Sequence, residues 1–304
     1  MKQTFFIFSF FLILLSCGGA DINRSDSQEL PDDSAQLRIA VMPTLDCLPL
    51  YLADSRGWFE AAGIDVSLFP YQAQMDCDTA VERGTVNALV SDLVRVQQMN
   101  DKGMDLQVVS STDAHWQLLT SRTARIKQLK QLDNKMMAMT RFSATHLLSD
   151  KVIDSSKVQP ERVFLIQIND VSVRLNMLRT EILDALWLPE PQATEARNSK
   201  AYILADTRLM GYQLGVVAFR KRAATQRQTE LFRKVYDEAC DSINEYGLQS
   251  FSEIIKEKCG VGMNTIDSLP EMKFRHASVP RSIDSLRVFE WITISKSGNH
   301  VEKR

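Results

Sequence analysis

The clearest hydrophobic pattern lies at 37–69, LRIAVMPTLDCLPLYLADSRGWFEAAGIDVSLF. The apolar run at 37–42 reads as a buried strand, and Pro43, with no N–H and a fixed φ, stops it. Leu48, Leu52 and Phe59 then fall near one helical face. Gly57 lies near the end of that segment, and Gly63 closes the turn after it. At 64–69 polar and apolar residues alternate, which predicts a second strand. Strand, loop, helix, Gly turn and strand make one βαβ unit, so the two strands are expected to be parallel. Ligands of open α/β sheets sit beyond the carboxyl ends of strands. Here that end is Pro43-Thr44-Leu45-Asp46.

The same rhythm repeats along the chain. A polar loop at 71–78, carrying Gln74 and Asp76, leads to a short helix at 79–83 and Gly84. A strand at 87–90 ends in Ser91-Asp92, a helix follows at 93–99, and a strand at 106–109 ends in Ser110-Ser111-Thr112-Asp113. The stretch 115–120 carries the chain into a second lobe. There a strand at 136–139 ends in Thr140-Arg141-Phe142-Ser143, before an amphipathic helix at 144–153 that begins with Ala144-Thr145. A strand at 163–168 ends in Asn169-Asp170 and precedes a helix through Val173, Met177 and Leu178. A strand at 182–188, containing Trp187, ends in Pro189-Glu190-Pro191. Residues 213–220 return to lobe one, and 222–246 form a long helix with Leu231, Val235, Ala239 and Ile243 four apart. The expected fold class is α/β: two lobes of mostly parallel sheet flanked by helices. Lobe one takes 37–114 and 211–304; lobe two takes 115–210.

The first residues follow a different pattern. Lys2 precedes an apolar run at 5–15, too short to span a bilayer and the right length for a signal h-region. Leu14-Leu15-Ser16-Cys17 resembles a bacterial lipobox, which implies cleavage before Cys17 and acylation of its sulfur. Residues 18–36 are Gly-, Ser-, Asp- and Asn-rich and read as a tether. The remainder, about 270 residues, suits two lobes. A net charge of −2 without a sustained basic block argues against nucleic acid as a partner. Cys47, Cys77, Cys240 and Cys259 remain, and outside the cytoplasm four cysteines are either disulfide partners or buried thiols. No C-x-x-C or His-rich spacing suggests a metal, and nothing calls for a cofactor.

Several motifs, in their order, resemble a known family. "PLYLADSRGWFEAAGIDVSL", "AVERGTVNALVSD", the segment 126–135, "MLRTEILDALWLPEPQATEA" and the tail "FRHASVPRSIDSLRVFEWI" are similar to motifs of periplasmic solute-binding proteins of ABC importers. The type is the nitrate/sulfonate/thiamine-precursor (NMT1/THI5-like) one. Trp58 stands where Tyr is usual, and Asn134 and Thr180 stand where Gly is usual. The resemblance implies a two-lobed type II binding-protein fold that captures a small polar or heteroaromatic solute. It implies an ABC permease as partner and a monomer on the periplasmic side of the bacterial cell envelope, where the lipobox resemblance implies a lipid anchor. It also leaves open an enzyme on the same fold, pyrimidine-synthase-like or menaquinone-pathway dehydratase-like, or a ligand-sensing lipoprotein. His115, His146 and His276 are scattered, and no His–carboxylate or His–Cys dyad marks a catalyst.

A cleft between the lobes is expected to be lined by strand-end residues. Lobe one offers Thr44, Asp46, Gln74, Asp76, Ser91, Asp92 and Thr112; lobe two offers Arg141, Ser143, Thr145, Asn169, Trp187 and Glu190. Taken singly, each is as well explained as a turn or cap residue. The stretch 141–145 precedes a helix, whose N-terminal amides favour an anion, and Arg141 adds a bidentate donor. Asp46, Asp76, Asp92 and Glu190 favour an amine or aromatic cation instead. Phe142, Trp116 and Trp187 are candidates to stack on a flat ring, with core packing the stronger reading for Trp116 than for Trp187.

Overall fold

The structure, a computed structural model, describes residues 35–297. The proposed signal segment and Cys17 lie outside the described residues. Lobe one is built on β1 (Leu37–Val41), β2 (Val66–Pro70), β3 (Ala88–Asp92), β4 (Leu106–Ser111) and β10 (Gly215–Arg220), in the order β2-β1-β3-β10-β4. Lobe two is built on β5 (Trp116–Thr120), β6 (Lys135–Met139), β7 (Val163–Gln167), β8 (Ala185–Pro189) and β9 (Tyr202–Asp206), in the order β7-β6-β8-β5-β9. Both sheets have one plan. In lobe one β1 runs parallel to β2 and β3, and β10 is antiparallel to β3 and β4. In lobe two β6 runs parallel to β7 and β8, and β5 is antiparallel to β8 and β9.

The parallel strands need crossover helices, and the chain supplies them. Lobe one has α1 (Leu48–Ser55), α2 (Trp58–Ala61), α3 (Gln74–Glu82) and α4 (Leu93–Asp101). Lobe two has α5 (Ala144–Ser156), α6 (Val171–Arg179), α7 (Gln192–Asn198) and the short α8 (Thr207–Met210). After β10 come α9 (Gln226–Tyr246), α10 (Ser252–Cys259), α11 (Met263–Asp267) and α12 (Ser282–Lys296). Gly57, at φ +65°, breaks the first expected helix into α1 and α2, because that backbone is costly for a residue with a Cβ. Phe232 of α9 stacks on Phe59 and meets Phe219 of β10 edge-on, which seats the long helix on lobe one. No helix among the described residues is long and apolar enough to cross a membrane.

Two expectations about local structure change. Residues 74–78 belong to α3 rather than to a polar loop. In α6 the buried face runs through Val171, Arg174, Leu175 and Leu178, while Val173 is exposed. Helical spacing admits both faces, and the neighbouring sheet selects one.

The chain crosses between lobes at 112–115 and 211–214. These segments lie side by side: Thr112 N donates to Gly215 O (2.9 Å) and Trp116 N to Thr207 Oγ1 (3.0 Å). Gly215 is required by this approach, since a Cβ there would overlap Thr112 Oγ1 and the Ala114 methyl. Helix α12 follows lobe one in the chain and packs on α4, yet its Trp291 Nε1 donates to Asp150 Oδ2 of α5 in lobe two (2.9 Å). Cys47, Cys77, Cys240 and Cys259 stand as buried free thiols, the second of their two readings. Burial pushes all four thiols up, which keeps them protonated and unreactive.

Candidate functional site

The strand ends of the two sheets face each other across a cleft. Its lips touch. Leu45 N donates to Glu190 O (2.9 Å), Gln192 Nε2 donates to Pro43 O (2.7 Å), and Ala73 forms a bridge with Asp170. The free volume left between the lobes is about 60 Å³. That is far below the roughly 300–1,000 Å³ of a pocket for a drug-sized ligand. The lobes are thus closed, and a solute larger than a few atoms enters only if they part.

Lobe one contributes Thr44, Asp46, Gln74, Ser91 and Asp92 to the lining. Asp46 follows β1 and is held by its neighbours: Thr44 Oγ1 donates to Oδ1 (2.6 Å) and Thr112 Oγ1 to Oδ2 (3.1 Å). Burial raises its carboxyl above the usual range, and the two hydroxyls work against that rise. Asp92 ends β3 and caps α4, accepting from Arg95 N (3.0 Å). Burial pushes its carboxyl up to about 6, although Arg95 and the Ala144 amide at the start of α5 pull the other way. Gln74 Nε2 is anchored on Val90 O (3.0 Å). Ser91 Oγ is buried without a hydrogen-bond partner among the described residues.

Lobe two contributes Ser143 and Thr145, which shape the N-terminus of α5. Ser143 Oγ accepts from Thr145 N (3.2 Å), and Thr145 Oγ1 accepts from Thr140 N (3.0 Å). Beside them lies Arg174 of α6, 4% exposed. Its Nη1 donates to Trp187 O (2.9 Å), while Nε has no partner among the described residues. Burial lowers the guanidinium to about 10, with Asp170 opposing. A buried cation without a carboxylate bonded to it is costly, so its place on the cleft wall calls for a functional account. Trp116, at the start of β5, offers the wall an aromatic face.

The remaining strand-end candidates sit elsewhere. Trp187 is corrected to core: it is 0% exposed, pairs with Leu118 in the middle of the sheet, and donates Nε1 to Ser149 Oγ (3.0 Å). The ranking of the two tryptophans is reversed, since Trp116 reaches the cleft. Glu190 is buried, but its carboxylate is used within lobe two, accepting from Thr194 N (2.9 Å) and Arg197 Nη1 (2.8 Å). Thr112 stands behind Asp46 as its donor. Asp76 is exposed on the first turn of α3. Asn169 is half-buried and accepts from Gln167 Nε2 (3.2 Å), outside the lining. Arg141 and Phe142 are exposed and line a separate groove with Met75 and Gln167, so the helix N-terminus reaches the cleft but Arg141 does not. Sequence reasoning missed Arg174. The available signal was a charged residue on the apolar stripe of its helix, in step with Val171 and Leu178.

Three solved structures of similar shape are distant in sequence. The alkanesulfonate-binding protein SsuA from Xanthomonas axonopodis pv. citri, bound to MOPS, is 16% identical over 86% of this chain and 92% of its own, with a TM-score of 0.70. The periplasmic aliphatic sulphonate-binding protein SsuA from Escherichia coli is 14% identical over 86% of this chain and 87% of its own, at 0.71. The periplasmic nitrate-binding protein NrtA from Synechocystis PCC 6803 is 11% identical over 85% and 81%, also at 0.71. At these identities the likeness is one of fold, and the fold is that of the periplasmic binding proteins. The chain matches none of the curated proteins in sequence. Residues 44–244 match the family model described as NMT1/THI5 like, a span that runs from the first strand end through both lobes to the last turn of α9, and the chain belongs to that family.

Proposed function

We propose that this chain is an extracytoplasmic solute-binding protein of an ABC importer, which captures a small polar solute between its lobes and presents the closed form to a permease. The observation that carries this reading is the pair of unpartnered buried polar groups on opposite walls of one cleft, Arg174 Nε and Ser91 Oγ. A solute with an anionic end meets Arg174 and the amides of α5, and an amine, hydroxyl or ring N–H on the same solute meets Asp46 or Asp92. Contacts from both lobes exist together only when the lobes are closed, so the solute stabilises that form by its differential affinity. The fold of the sulfonate- and nitrate-binding proteins supports the reading.

The test is a thermal-shift screen of amino acids, sulfonates, nitrate and heteroaromatic acids, followed by calorimetry on the hit. Arg174→Met should weaken binding by about 2–4 kcal/mol, tens to hundreds of times, with the fold intact. Wild-type affinity in folded Arg174→Met would sink the assignment, and turnover of the hit would replace binding by catalysis.

The lipid anchor belongs to the same proposal. It rests on the sequence alone, the apolar run at 5–15 followed by the LLSC stretch. Cys17→Ala should release the chain from the membrane fraction; equal retention of both forms refutes the anchor.

A further inference from the structure

A second cavity of about 430 Å³ opens on the hinge, and it shares no lining residue with the cleft. Its floor is the crossover at Asp113, Ala114 and His115, and its walls come from the second crossover and the stretch 271–281. The floor carries a buried orphan. His115 is 7% exposed, its Nδ1 lies 3.5 Å from Asp113 O, and its Nε2 has no partner among the described residues.

The walls are rich in fixed donors. Arg208 is gripped by Asp206 through Nε and Nη2, Arg275 by Asp113 through Nε and Nη2, and Arg281 by Asp284 through Nε and by Gly211 O through Nη2. Each guanidinium is thus held in place on one side, and each keeps Nη1 free of any hydrogen bond among the described residues. Lys273 lines the same cavity without an ion pair among the described residues. Four cations meet four carboxylates here: Asp113 and Glu271 line the cavity, and Asp206 and Asp284 hold Arg208 and Arg281 from behind it, so the donors that face the cavity are the free Nη1 groups and Lys273.

We propose that this hinge cavity is a second binding site, specific for a small oxyanion bearing at least two negative charges. The Nη1 groups and Lys273 supply charge-assisted donors, and His115 closes the floor. The site does not depend on the solute of the cleft. It lies on both crossovers, so what it holds touches the segments that flex when the lobes part.

A proton is linked to the site. Burial and the charge of Arg208 lower the His115 pKa, against Glu190 and Asp206, and Asp46 also faces the ring. The negative charge of an oxyanion in the cavity beside the ring favours the imidazolium, so binding takes up a proton. Affinity therefore rises as pH falls toward and below the ordinary histidine value of 6.5.

The probe is sulfate, whose charge is constant across this range, with nitrate at equal ionic strength as the monovalent control. It is titrated into the full chain carrying Arg174→Met, which silences the cleft's cation. Sulfate should bind better than nitrate, bind more tightly at lower pH, and shift the imidazole proton signals of His115. His115→Gln should weaken sulfate about tenfold and abolish the pH dependence. Lys273→Met, on an exposed side chain that leaves the three pinned arginines untouched, should weaken it about threefold and keeps the test alive if His115→Gln misfolds. Sulfate binding no better than nitrate, or an unmoved His115 signal, overturns the site. Sulfate binding that appears in the parent chain and vanishes with Arg174→Met assigns the anion to the cleft alone and overturns it equally.

Discussion

The two walls of the cleft are built on one sheet plan but carry opposite charges in opposite states of repair. Lobe one sets Asp46 and Asp92 at the ends of β1 and β3, where hydroxyls and amides already hold both carboxylates. Lobe two sets Arg174 on a helix behind β8, where one carbonyl is its only hydrogen-bond partner among the described residues. A strand end followed by a helix supplies its own donors, since the first amides of the helix point at it. A cation finds no such cradle there, because a helix N-terminus repels it. The wall with the carboxylates is therefore close to self-sufficient, while the wall with the arginine waits for an acceptor from outside. The polarity of the solute follows from that difference: its anionic end is expected toward lobe two.

The sharpest way to probe this contrast is through Asp92. Its carboxyl sits at about 6 in the folded chain against an ordinary 3.8, because burial favours the neutral form. For an acid raised by folding, the stabilising contribution is complete below the unfolded value and is lost as pH rises through the folded one. The stability of the wild type relative to Asp92→Asn, which still caps α4, should therefore fall by about 2 kcal/mol between pH 4 and pH 7. Chemical denaturation at both pH values measures this. A difference that stays flat with pH would mean that Asp92 is solvated, and the cleft less closed than described.

Much of the fold was legible because each lobe repeats a local unit. Strand, polar end, helix and turn leave their mark within about thirty residues, and the turn glycines at Gly57, Gly63 and Gly84 all have positive φ. Strand-end candidates placed early in the chain, Thr44, Asp46, Ser91 and Asp92, line the cleft because β1 and β3 lie next to one another in the sheet. The misreadings have separate causes. Trp187 lies in β8, buried along its whole length between β6 and β5, and period-two alternation cannot tell a cleft residue from a core one in such a strand. Glu190 ends the same strand, but a partner seven residues on, Arg197, claims it. Arg141 sits one turn too early, on the outer side of the loop before α5. Arg174 was hidden because a lone arginine on a short helix reads as surface until the apolar residues in step with it are seen to be buried.

The smaller effect concerns Arg174 itself, and it separates a functional charge from a structural one. If the guanidinium were part of the scaffold, its removal would destabilise the chain as the loss of any satisfied buried ion does. The geometry says otherwise: burial lowers its pKa to about 10, so the folded state disfavours its charge. At neutral pH the side chain is still protonated, and that penalty stands. Methionine keeps the apolar stem without the charge, and leaves the Trp187 carbonyl short of one donor. Replacing a poorly compensated buried charge by an apolar side chain is often neutral or stabilising by about 1–4 kcal/mol. With the carbonyl's lost bond worth about 1 kcal/mol, the net gain for the ligand-free protein should be about 1 kcal/mol. Denaturant midpoints of wild type and Arg174→Met, taken without solute, measure it. A clear loss of stability would make Arg174 a structural residue and leave lobe two without its proposed anchor. A gain, together with weaker solute binding, would show that this wall gives up stability for recognition while the wall opposite does so only for the proton on Asp92.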